Sequence, residues 1–161
     1  MNLQTLTTLS WQTLVETSPL VGLGLAACWL DWRYRRIPNW LCGSLAVLGL
    51  AIATMFGGGD ALLTHALHFA AALLVGMLLF KFGVFGGGDA KFYAAMAAWF
   101  PLDMWARLAI HVTLAGLALL VVWFTYRRLA GKKIRPKNPT IYDSLPYGIA
   151  IAFGAFAAMF A

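Results

Sequence analysis

Along this chain, apolar residues come in long runs that polar residues interrupt at only a few places. Stretches 19–32, 39–56, 61–80, 90–100, 104–126 and 146–161 each carry at most one charged residue, and none alternates with period two. A helix crosses a bilayer with about 20 apolar residues, and with fewer where the membrane thins. The pattern therefore predicts six transmembrane helices. Ser18 and Pro19 read as the N-cap and first residue of the first, which extends to Arg36 as an interfacial turn. Asp60 and Asp103 read as N-caps of the third and fifth. Stretch 90–100 is short and reads as a tilted half-span. Ahead of these, Leu3, Leu6, Leu9 and Leu14 recur at near-helical spacing among Thr and Gln, which predicts a short helix lying on the membrane surface.

Composition fixes the solvent. The 161 residues are 61% hydrophobic and 11% charged, with a mean hydropathy of +0.77, and soluble domains carry about twice that share of charge. In lipid every backbone polar group must be paired internally, so only helices or a closed barrel can span, and the runs are too long and too uniform for barrel strands. The expected fold is an all-α polytopic membrane bundle, a single domain over 1–161. Residues 1–19 contain no Lys or Arg, which argues against a cleaved signal peptide. Cys28 and Cys42 fall in apolar runs without metal-type spacing and read as reduced packing residues.

Charge then orients the bundle. Arg33, Arg35, Arg36, Lys81, Lys91, Arg127, Arg128, Lys132, Lys133, Arg135 and Lys137 fall on one side if six spans alternate, and Arg107 alone falls on the other. Basic residues in short loops mark the cytoplasmic face, so both termini are expected outside. Trp32, Trp40 and Trp123 near the inner ends, with Trp99 and Trp105 near the outer ends, fit an interfacial belt. The net charge of +6 is thus read as membrane topology and contact with anionic lipid, not as a nucleic-acid surface.

With charge this scarce, the acids stand out. FGGGD occurs twice, ending at Asp60 and at Asp89. In the six-span topology Asp60 and Asp103 lie outside, whereas Asp31 and Asp89 share the cytoplasmic side. Two neighbouring carboxyls do not both ionise easily and hold one proton between them. One then acts as general base on water while the other polarises a carbonyl, which hydrolyses a peptide without metal or covalent intermediate. Gly86, Gly87 and Gly88 allow a sharp bend and close approach of an extended substrate. The plainer readings are that Asp89 caps a helix and that Asp31 pairs with Arg35, four residues on along one helix face. Lys91 reads as an anchor for an acidic or phosphate group, or as a residue snorkelling to the interface. Tyr147 offers a hydrogen bond near the site or an interfacial anchor. His65 and His68 lack a further ligand with metal spacing, and His111 reads as a packed polar residue. Neither a metal nor a cofactor is called for. Arg33, Arg35 and Arg36 read as topology and lipid contacts, since a basic substrate segment would be repelled by them.

Three segments resemble one family. GGGDAK at 86–91 resembles the GxGD signature of membrane aspartyl proteases followed by the Lys typical of type IV prepilin peptidases. DWRYRRIPNW at 31–40 resembles that family's first-aspartate motif, and LPYGIAIAFGA at 145–155 its closing Pro-Tyr-Gly helix. The resemblance implies Asp31 and Asp89 as the catalytic pair, with Gly86, Gly87, Gly88, Lys91, Pro146 and Tyr147 in support. It implies a bacterial inner-membrane endopeptidase that removes the short basic, Gly-ending leader of prepilins or pseudopilins at the cytoplasmic face. The CxxC zinc segment of larger members has no counterpart here, so the chain is similar to the small Flp (Tad-type) branch, without methyltransferase activity. Presenilin-like proteases pair GxGD with Tyr-Asp, whereas Leu30 precedes Asp31. The competing reading is a small ion- or proton-coupled transporter with Asp31 and Asp89 as its relay. Oligomeric state is not legible.

Overall fold

The computed structural model describes residues 11–131 and 144–161, with side chains from residue 13 onward. Five α-helices and a 3₁₀ turn follow in order: α1 (Trp11–Tyr34), α2 (Asn39–Lys81), α3 (Gly87–Ala97), the turn Leu102–Met104, α4 (Trp105–Leu129) and α5 (Tyr147–Phe160). The all-α expectation holds for the described residues. The surface helix expected around Leu3, Leu6 and Leu9 lies outside them, and Leu14 belongs to α1.

α2 is 43 residues long, or about 65 Å at 1.5 Å per residue, twice the thickness of a bilayer core. It is not straight. Gly58 leaves helical geometry at φ 68°, ψ −157°, a region open to glycine and closed to most other residues. Contacts with α3 show how the two arms lie. Near the start of α3, Lys91 reaches Asn39, and a Cβ at Gly76 would stand 3.1 Å from the Ala90 side chain. At the far end of α3, Trp99 donates to Leu45 O, while His65 and His68 reach the carbonyls of Ala98 and Phe100. Arms 39–57 and 59–81 therefore run antiparallel, hinged at Gly58, where the sequence predicts two separate spans. Asp60 sits exposed just past the hinge, inside the second arm.

Three helices are long and apolar enough to cross a membrane: 13–34, Asn39–Lys81 and 102–129. Of the six expected spans, the two short ones do not reach this length among the described residues. α3 has 11 residues and α5 has 14, about 16 and 21 Å of helix against a core of about 30 Å. Past its first turns α3 is enclosed: Ala90, Phe92 and every residue from Ala94 to Phe100 are buried, while Lys91 is exposed. An apolar stretch of this length is a core helix more often than a span. Trp99 is accordingly buried and bonded to Leu45 O at 3.0 Å; it belongs to the core rather than to an interfacial belt. His65 Nδ1 and His68 Nδ1 each donate at 3.0 Å to Ala98 O and Phe100 O. They satisfy carbonyls that the end of α3 leaves without helical partners.

Two helix starts also differ from expectation. Ser18 and Pro19 lie within α1, which begins at Trp11, instead of opening it. Asp103 lies in the 3₁₀ turn, and Met104 caps α4 without a side-chain bond. Cys28 and Cys42 are unpaired, as expected. Arg127, read as part of a lipid-facing loop, is instead buried, with its guanidinium 5.0 Å from the centre of the Trp123 ring.

Candidate active site

α1, α3 and the start of α5 meet at one end of the bundle. Asp31 lies in the last turn of α1 and is buried. Asp89 lies in the first turn of α3 and is half-buried. Gly86, not Asp89, caps α3, so the plain N-cap reading of Asp89 fails. The two acids line one cleft of about 710 Å³ together with Arg35, Arg36, Asn39, Lys91 and Ser144. Asp31 and Asp89, 58 residues apart in the sequence, thus face one cleft. Asp60 and Asp103 take no part in this cleft.

Each carboxyl rests against a glycine. Gly148 N–H donates to Asp31 Oδ2 at 2.9 Å, and a Cβ at 148 would stand 2.8 Å from that oxygen and from Ile37 Cδ1. A Cβ at Gly86 would stand 2.6 Å from Asp89 Oδ2. Among the three consecutive glycines, Gly86 is thus fixed by the acid it faces, and a Cβ at Gly87 would stand 3.2 Å from the Phe80 ring. Gly88 lines the cleft with nothing within 4 Å of a Cβ. None of the three has positive φ; the bend uses Gly83 at φ 72°. The expectation that the triplet itself supplies the turn is therefore corrected.

Asp89 lies outside the span-capable helices, at the mouth of the cleft. Burial pushes its carboxyl up to about 6, and the charge of Asp31 adds to the shift. Arg35 lies close enough for its charge to act on the Asp31 carboxyl, but its Nε and Nη1 are buried without a hydrogen-bond acceptor. Lys91 is exposed, lines the cleft and donates to Asn39 Oδ1 at 3.3 Å. Pro146 caps α5. Tyr147 follows it, half-buried, with its ring edge-on to Phe85 at 5.6 Å.

Sequence reasoning missed the contribution of Gly148. The Pro-Tyr-Gly motif carried the signal, but a backbone N–H leaves no mark in residue type, and only the docking of α5 on α1 aims it at Asp31. Arg35 was misjudged as well, because burial of its guanidinium depends on the turn that follows α1.

A family profile described as the type IV leader peptidase family matches residues 19–125, more than half of the chain and inclusive of both acids. The chain belongs to that family. Neither the comparison with curated proteins nor that with solved structures gave a match. A leader peptidase-like protease within an apolar helical bundle is thus the identity against which the cleft is read. The matched segment ends before α5, so the contact from Gly148 to Asp31 is known from the structure alone.

Proposed function

We propose that this chain is an aspartyl endopeptidase that cleaves prepilin-type leaders with the Asp31–Asp89 pair. The observation that carries the reading is the common cleft of the two acids, one buried and the other pushed up to about 6 by burial and by its partner. In the reaction, Asp31 as carboxylate takes a proton from a water molecule, and the water oxygen attacks the scissile carbonyl carbon. Asp89 in its protonated form donates to the carbonyl oxygen. Collapse of the tetrahedral species breaks the C–N bond: the proton now on Asp31 passes to the leaving amine, and the hydroxyl formed from the carbonyl returns its proton to Asp89 as the C=O bond re-forms. Gly148 N–H holds Asp31 Oδ2 and so leaves Oδ1 to face the water.

The finer reading is a Flp-type peptidase of the bacterial inner membrane, with the cleft facing the cytoplasm and both termini outside. Support comes from the excess of basic residues on one side. It comes also from Cys28 and Cys42, neither of which forms the CxxC pair that accompanies methyl transfer in larger relatives. Gly86, Gly88 and Lys91 line the cleft wall along which a peptide lies, and Pro146 and Tyr147 hold the start of α5 beside it. Anionic lipid headgroups meet the exposed arginines.

The test is mass spectrometry of a Flp-type prepilin incubated with the purified protein. Asp31→Asn and Asp89→Asn each abolish the cleaved product, while Asp60→Asn retains it, and EDTA leaves the rate unchanged. Activity in Asp89→Asn refutes the pair, and inhibition by EDTA moves the chemistry to a metal. Proton-coupled uptake in liposomes without any peptide product would favour a transporter.

A further inference from the structure

Among the described residues, Arg35 is the one non-glycine with positive φ, at 54°. Its N–H donates to Asp31 O at 3.0 Å and closes α1 in the left-handed form, a position that usually holds glycine. Its side chain nevertheless lines the cleft. One face of the guanidinium lies 5.9 Å from the Trp32 ring centre, a contact that uses none of its N–H groups. Nε and Nη1 are shut off from solvent and have no acceptor. The nearest acid in sequence, Asp31, already has its Oδ2 bonded to Gly148 N–H. The neighbouring cations are placed differently: Arg33 is exposed against the Tyr34 ring, Arg36 is exposed, and Lys91 has Asn39.

Buried donors are nearly always paired in folded proteins, and a guanidinium can only donate. Among the described residues no acceptor meets Nε or Nη1, so the open cleft leaves these two donors to a molecule bound in it. A peptide opened for hydrolysis brings main-chain carbonyls freed from helical bonds and any carboxylates of its own. We infer that Arg35 is a substrate-positioning residue whose Nε–H and Nη1–H receive oxygen acceptors of the bound peptide beside Asp31. This rests on the peptidase reading for its substrate class. It also revises the sequence expectation that the basic cluster serves topology and lipid alone: one of its three arginines is turned inward.

The test uses the full chain in lipid nanodiscs. The probe is a synthetic peptide with a short basic leader ending in Gly, followed by an apolar segment. Arg35→Lys keeps the charge but loses the planar donor set, and its KM rises about tenfold, or ~1.4 kcal/mol, with kcat nearly unchanged. Arg35→Gln raises KM further. Arg35→Gly removes the left-handed strain, so its Tm rises while its KM also rises; a residue with a purely structural role would lose Tm instead. Combined with Asp89→Asn, which turns nothing over, Arg35→Gln weakens binding of the fluorescently labelled peptide by a similar factor. Unchanged KM and unchanged peptide affinity in Arg35→Gln overturn the inference. So does an effect confined to the pH profile, since Arg35 would then act through Asp31. If the wild type cleaves nothing while peptide binding still depends on Arg35, the peptidase reading falls and this inference stands. Replacing every peptide Asp and Glu by its amide separates the two acceptors. Loss of the Arg35 dependence assigns a carboxylate, and persistence assigns the main chain.

Discussion

Replacing Gly148 by Ala tests the geometry of the pair without touching either acid. The new Cβ would stand 2.8 Å from Asp31 Oδ2, 3.1 Å from Asp31 Cγ and 2.8 Å from Ile37 Cδ1, all closer than carbon contacts allow. Asp31 is buried and Ile37 belongs to the core, so the carboxyl cannot swing out to solvent. Either α5 backs away from α1 or the carboxyl rotates, and both stretch the 2.9 Å bond from Gly148 N–H. A hydrogen bond to a charged group contributes about 1.5–3 kcal/mol. Its loss in the transition state corresponds to a fall in kcat/KM of about 10- to 100-fold. Overpacking adds a stability loss of about 1–3 kcal/mol. The assay is prepilin cleavage at a temperature where circular dichroism shows the variant folded. Gly43→Ala serves as control: Gly43 is exposed on α2 with nothing within 4 Å of a Cβ, so its kcat/KM stays within about twofold. A folded Gly148→Ala protein with wild-type turnover would show that Asp31 needs no such support, and the arrangement of the pair argued above would be wrong.

Other outcomes follow from the same contacts. Gly86→Ala drives a Cβ to 2.6 Å from Asp89 Oδ2 and should cut turnover severalfold, with titration of Asp89 displaced in carbonyl infrared spectra. Because Asp89 is pushed up to about 6, the protonated acid is lost as pH rises, and kcat should decline about tenfold per unit well above that value. Stability has the matching sign: the folded state keeps a proton that the unfolded chain releases, so Tm should fall as pH rises from about 4 to about 6. Asp89→Asn should flatten that slope, and an unaltered slope would refute the assignment. His68 is 3% exposed and donates to Phe100 O; His68→Ala should lower stability by about 2–4 kcal/mol, read as a Tm shift in detergent, with cleavage retained at low temperature.

Part of the site was legible in residue type. A carboxyl beside an apolar run is expensive, which singles out Asp31, and the glycines ahead of Asp89 announced a tight approach. Counting spans set Asp31 and Asp89 on one side and Asp60 on the other, and in the structure the first two line one cleft from which Asp60 is absent. Other features were not legible. Ser18, Pro19 and Asp103 carry good capping signals that the fold does not use: Ser18 and Pro19 lie inside α1, and Asp103 lies in the 3₁₀ turn. His65 and His68 look like a weak metal pair, yet each donates to a carbonyl at the end of α3.

The sequence by itself determined the solvent and the element type, since backbone groups in lipid have no partner but their own helix, and it selected the two acids by their rarity. The tertiary structure decided that α3 is enclosed by its neighbours, because enclosure depends on segments that composition does not name. It also decided that a backbone N–H of α5 holds Asp31 and that Arg35 turns inward. Those are matters of direction and distance between segments far apart in the chain, and periodicity carries no information about them.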